Sequence, residues 1–307
     1  MLIRVIRGID YGLSLYYSYT LPLYDVKPVD NGFVFIKTVG LCKGLECRFQ
    51  RSSLETICVV PQCCEGYAEK LLGLDSRWGF EELCKVIGWG KCILSNITLL
   101  YSPGDADLIL YAILLSRNTD YFTNTLRWFK QFVDRGVVED RSYIPQQVLM
   151  LAPKVKKLFT DAKNAKDIII SLLTLKGIGV KSVTALLLHA YGETEYAPVD
   201  RHYKRYLEAI YGELREPIKK ICIATKLNCL VCKYKDKCFY GVARSLGKLN
   251  GYLQSLTYLS ERLSFARSRF EEVLVPKDYR DVKALRKVTA LAIETLTREA
   301  GLWHARI

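Results

Sequence analysis

At 307 residues, 50% hydrophobic and 25% charged, the chain is long enough for two or three packed units around a substantial core. Its formal charge of +13 favours a polyanionic partner, because every phosphate that a Lys or Arg neutralises releases counterions. No segment near the amino terminus has the order of a signal peptide and no charge-free apolar run reaches membrane-spanning length, so a membrane role is excluded and a cytoplasmic protein is expected.

In chain order, residues 1–101 read as a small β-rich α+β domain. Short alternating and aromatic stretches at 13–24 and 32–39 predict strands, and 65–86 carries a helical pattern. The domain holds Cys42, Cys47, Cys58, Cys63, Cys64, Cys84 and Cys92. Buried free thiols are the expectation for these, ahead of a second metal site built from two C-x4-C pairs. Ser102, Pro103 and Gly104 then form a turn, and LILYAILLSRNTDYF opens a helical core over 102–240.

Within that core stands LKGIGVKSVTALLLHAYGETEYAPVDRHYKR, a tight glycine turn between two helices. Gly177 and Gly179 can take backbone angles other residues resist and let a ligand approach the main chain. Unpaired amides at the start of the helix over 180–191 favour an anion, and Lys176 adds a phosphate-seeking charge. A phosphate-loop NTPase is excluded, because Val180 stands where GxxxxGK[ST] needs glycine. Lys181 follows the turn, and Asp200 precedes HYKRYLEAIY, where it suits a helix N-cap. A lysine made neutral by burial or cationic neighbours is a nucleophile, and a carboxylate stabilises positive charge developing on a sugar, so the pair points to chemistry at a sugar carbon of DNA. His189, on an apolar helix, reads as a core residue.

Downstream, Cys222, Cys229, Cys232 and Cys238 are spaced C-x6-C-x2-C-x5-C. Four thiolates at such intervals can wrap one centre, either zinc or a [4Fe-4S] cluster. The segment 201–240 carries ten Lys or Arg against four Asp or Glu. The tail, 241–307, reads as two or more helices, with apolar residues at Leu253, Leu256, Leu259 and Leu263 and again over 285–296; it shows no catalytic motif, and a structural role, such as packing against the β domain, is expected ahead of a contribution to the base pocket.

The hairpin, the VDRH segment and the four cysteines together resemble the helix-hairpin-helix-GPD superfamily of DNA glycosylases over residues 104–240, with the cysteine spacing of endonuclease III. One departure is Lys176, where the family usually has proline. The resemblance implies a mainly α fold with two helical subdomains flanking an active-site cleft, an iron-sulfur cluster loop and a C-terminal helical extension. The amino-terminal domain resembles that of the 8-oxoguanine and 3-methyladenine glycosylase branches. By position Lys181 becomes the nucleophile of a bifunctional enzyme, Asp200 the charge stabiliser and base, and the cysteines ligands of a [4Fe-4S] cluster, with zinc the lesser candidate. Asn118, assisted by Arg117, falls where the family faces the gap left by a flipped base, and His202 matches a family histidine that positions the backbone. The implied partner is double-stranded DNA containing a damaged base, an oxidised purine or pyrimidine or a mismatch, bound by a monomer. Two alternatives stand beside this: a monofunctional glycosylase using Asp200 with water, and a non-enzymatic iron-sulfur DNA-binding module.

Overall fold

The computed structural model describes residues 1–89, 92–161, 164–263, 268–276 and 282–304. Five strands, β1 (Leu2–Arg7), β2 (Tyr24–Val29), β3 (Gly32–Lys37), β4 (Glu46–Gln50) and β5 (Glu55–Val60), form one antiparallel sheet in the order β1-β5-β4-β3-β2. Strict alternation in β3 and β4 turns Phe33, Phe35, Cys47 and Phe49 to the buried face. Helix α1 (Tyr11–Tyr16) lies on that face, with the Tyr11 ring 5.3 Å from Phe35 and 6.4 Å from Phe49.

Helix α1 overturns the strand expected over 13–24. All six of its residues are buried, so its side chains show no polar face, and a short apolar run does not by itself distinguish helix from strand. Asp10 decides the matter by accepting from the Leu13 amide as N-cap, and β2 begins only at Tyr24.

The expectation of free thiols is also corrected. Cys42 is bonded to Cys64, Cys47 to Cys58 and Cys84 to Cys92, leaving Cys63 exposed. Cys47 and Cys58 stand directly opposite one another in the β4–β5 register, a proximity that spacing in the sequence does not reveal.

After the short helices α2 (Ala68–Leu71) and α3 (Trp78–Val86) comes α4 (Ala106–Leu115), apolar on every side and buried at eight positions. It packs against α6 (Tyr143–Asp161) and α8 (Val180–Tyr191), with α5 (Leu126–Arg135) alongside and α7 (Ala165–Thr174) bridging α6 to α8. The chain continues through α9 (Arg201–Tyr211), α10 (Lys219–Ala224), α11 (Phe239–Ser245), α12 (Asn250–Arg262), α13 (Arg269–Leu274) and α14 (Val282–His304). Helix α12 packs between α14 and α9, while α13 returns to α1 and β3.

Sheet and helices are joined by a fully buried ion pair. Lys37 Nζ lies 2.6 Å from Asp105 Oδ2, with the side chains 0% and 1% exposed. The ammonium also donates to the Val39 carbonyl at 2.8 Å, and Asp105 Oδ1 accepts from the Leu41 amide at 2.6 Å, so both charges are hydrogen-bonded where water is absent.

Candidate active site

A cleft of about 730 Å³ opens between the end of α1, the loop after α4, the start of α8, the α9 N-terminus and α12. One wall begins at the hairpin. Helix α7 ends at Thr174 and α8 starts at Val180; between them Gly177 takes φ +92°, a left-handed conformation that a side chain resists. Gly179 occupies the N-cap of α8 without any side-chain cap, so the first-turn amides face outward from the helix start. Lys176 and Gly179 are exposed, and Lys219 Nζ braces the turn by donating to the Leu175 carbonyl at 2.9 Å.

Lys181, in the first turn of α8, and Asp200, the N-cap of α9, both line the cleft. Asp200 Oδ1 accepts from the His202 and Tyr203 amides at 2.8 and 2.9 Å, and Oδ2 accepts from Gln254 Nε2 at 3.1 Å. Three donors hold the carboxylate in place at the start of α9. Burial lowers the Lys181 pKa; Asp200 opposes this, while Lys204 and Arg201 add to it. By accessible surface Lys181 is exposed and lines an open cleft rather than a sealed core. This environment promotes the neutral amine a nucleophile needs.

His202 is buried beside Asp200. Burial lowers its pKa, and its Nε2 accepts from Arg201 Nε at 3.3 Å, which assigns the proton of the neutral ring to Nδ1, 3.7 Å from Glu261 Oε2. His189 also lines the cleft; burial pushes it down to about 3, so it is neutral, and its ring stands edge-on to Tyr19 with centroids 5.1 Å apart.

Helix α4 stops at Leu115, and Asn118 takes φ +49° in the loop beyond, exposed on the cleft lining. Arg117 turns inward, donating through Nη1 to the Gly177 carbonyl and through Nη2 to Gln147 Oε1, both at 2.6 Å. Asp120 ends the loop by capping a single π-helical turn, Tyr121–Thr125.

Helix α12, for which a structural role is expected ahead of a part in the base pocket, supplies Gln254, Tyr258 and Arg262 to the cleft. Their spacing of four puts them on one face, and that recurrence of polar and aromatic residues within an apolar helix is the signal in the sequence. Arg262 Nη2 lies 2.9 Å from Asp120 Oδ2 and 3.0 Å from Glu271 Oε1, and Glu271 accepts from the Tyr16 hydroxyl at 2.8 Å. This partly buried network joins α12 to α1, α13 and the Asn118 loop.

Cys222, Cys229, Cys232 and Cys238 are free and half-buried. Burial, then the charges of Cys238 and Cys232, push Cys222 up to about 11. Cys229 is pushed up to about 12 by burial and by Cys222, Cys238 and Cys232, with Arg244 opposing. Among the described residues, no three His, Cys, Asp or Glu side chains group closely enough to hold a metal ion.

No protein-family model and no curated protein matches the chain. Its fold is shared with solved structures. The 8-oxoguanine glycosylase/lyase of Clostridium acetobutylicum, in complex with double-stranded DNA containing cytosine opposite 8-oxoguanine, superposes with TM-score 0.59 at 12% identity, covering 86% of this chain and 99% of that one. Its apo form gives 0.52 at 11% identity, covering 83% and 94%. MBOgg1 with a low-affinity DNA ligand gives 0.50 at 14% identity, also covering 83% and 94%. Among the described residues, no helix is long and apolar enough to cross a membrane.

Proposed function

We propose that this chain is a DNA N-glycosylase and abasic-site lyase that removes a damaged base from duplex DNA. The observation that carries the reading is the meeting of Lys181 and Asp200 in one cleft, directly beside an uncapped, glycine-built helix start. The glycosylase/lyase fold of the structural neighbours supports it.

In this reading the duplex backbone rests on the amides after Gly179, with Lys176 adding charge, while the target nucleotide is flipped into the cleft and Asn118 faces the vacated stack. The neutral Lys181 amine attacks C1′, and the bond from C1′ to the base breaks with its electron pair leaving on the base nitrogen. Asp200 stabilises the positive charge that develops on the sugar and then takes the proton from the attached nitrogen. Ring opening gives an imine. Loss of a proton from C2′ then expels the 3′ phosphate and nicks the strand. The sheet-bearing amino-terminal unit favours an oxidised purine such as 8-oxoguanine as the substrate. Tyr19, Tyr121 and Tyr258 offer apolar faces for the base, and the Gln254 amide offers a polar edge.

The four free thiols fit a [4Fe-4S] cluster. Four half-buried free thiols at the spacing C-x6-C-x2-C-x5-C supply the all-cysteine ligand set that such a cluster takes. Cys222, Cys229, Cys232 and Cys238 would hold it, and when bound it would cross-link the segment to the start of α11. Iron and acid-labile sulfide in purified protein, both lost in Cys232→Ser, are the expected result; zinc alone would overturn the assignment.

The function is tested by borohydride trapping on duplexes that each carry one defined lesion or an abasic site, comparing wild type with Lys181→Gln. A covalent adduct that depends on both lesion and Lys181 is expected. Base release without adduct would replace this reading with a monofunctional glycosylase, and an adduct persisting in Lys181→Gln would remove Lys181 as nucleophile.

A further inference from the structure

We infer that Arg117 is a positioning residue that couples the hairpin turn to the loop carrying Asn118, making capture of the DNA backbone and extrusion of the base one concerted event. The inference rests on the glycosylase reading above.

The guanidinium joins three separate elements. Its Nε donates to the Leu114 carbonyl at 2.8 Å, fixing it to the end of α4; Nη1 reaches the Gly177 carbonyl and Nη2 reaches Gln147 on α6, each at 2.6 Å. Gln147 in turn donates to the Tyr143 hydroxyl at 2.6 Å. Among the described residues, no carboxylate lies within ion-pair distance of Arg117, and burial lowers its pKa. A half-buried cation bound only by neutral oxygens is not there to neutralise acid; it is there for geometry. Only a planar fork can serve three acceptors in fixed directions, so lysine keeps the charge but loses the arrangement.

The two groups it ties are those the reaction must coordinate. Gly177, held by its carbonyl, sits at φ +92° in the turn that meets phosphate, and Asn118, the next residue after Arg117, sits at φ +49° facing the cleft. The far end of the same loop is fixed by Arg262 on Asp120. Movement of the hairpin under a phosphate load is therefore transmitted to one end of a short loop whose other end is anchored. Asn118 is the residue that responds.

The test compares wild type, Arg117→Met, Arg117→Lys, Asn118→Ala and the Arg117→Met/Asn118→Ala double variant. Extrusion is followed by 2-aminopurine fluorescence beside the lesion, excision by single-turnover base release, and the downstream chemistry by borohydride trapping on an abasic duplex, which has no base to extrude. Both Arg117 variants are expected to slow extrusion and excision about tenfold or more, consistent with loss of a coupled contact, while abasic trapping loses clearly less, because there only the turn's hold on the backbone is affected. Removing Asn118 as well should add little, because the two act as one unit. Equal loss on abasic and lesion duplexes, or effects of the two substitutions that simply multiply, would overturn the inference. Wild-type protein inactive on every duplex would instead overturn the glycosylase reading, and this inference with it.

Discussion

Replacing Gln254 with leucine removes one hydrogen-bond donor from Asp200 and little else. The side chain is 6% exposed, its Nε2 lies 3.1 Å from Asp200 Oδ2, and leucine fills similar volume in the same packed helix. A hydrogen bond to a charged group is worth ~1.5–3 kcal/mol. Asp200 keeps its two amide donors on the other oxygen, so the lower end applies, ~1.5 kcal/mol, or about a tenfold loss of rate. The assay is single-turnover trapping on an abasic duplex, where no base contacts Gln254 and only its effect on Asp200 remains. Thermal denaturation of the same variant should show a far smaller change than the rate. A rate within about twofold of wild type, or a rate loss that tracks a large drop in Tm, would refute the claim that Gln254 acts through the carboxylate.

Lys204→Gln removes a positive charge that lowers the Lys181 pKa. The sign follows directly: with that charge gone Lys181 holds its proton more tightly, so the trapping rate at neutral pH falls and its rise with pH moves in the alkaline direction. The deficit should vanish in alkaline buffer, and a pH-independent deficit would mean that Lys204 acts through DNA contact instead. Asp105→Asn leaves the fully buried Lys37 ammonium without its counter-charge and should cost ~3–5 kcal/mol in urea denaturation. Lys37→Met with Asp105→Leu should recover much of that loss, and a double variant no better than the single would show that the pair's hydrogen bonds, not its charges, hold the sheet to α4.

What the sequence disclosed was local. Helix α8 occupies 180–191, the span its pattern predicts, and Asp200 caps α9 because a short acidic side chain before HYKRYLEAIY can reach the next amides whatever the rest of the chain does. The tail's leucine spacing likewise predicted α12 and α14. What stayed hidden depended on tertiary neighbours. Nothing near Arg117 in the chain announces that a carbonyl 60 positions away will accept from it. Gln254 meets Asp200 only because α9 packs against α12, and α1 hides its period because every side of it is buried. The disulfides were invisible for the same reason, since register, not spacing, brings Cys47 to Cys58.

The three disulfides close over sequence separations of 22, 11 and 8 residues, and all lie before position 93, whereas the four free thiols proposed as cluster ligands lie at or beyond position 222. Apart from Cys63, oxidised and reduced sulfur are therefore divided along the chain. During synthesis every amino-terminal partner has left the ribosome long before Cys222 appears, and short loops are the quickest to close. Short loops that close early leave the later thiols fewer cysteines with which to mispair.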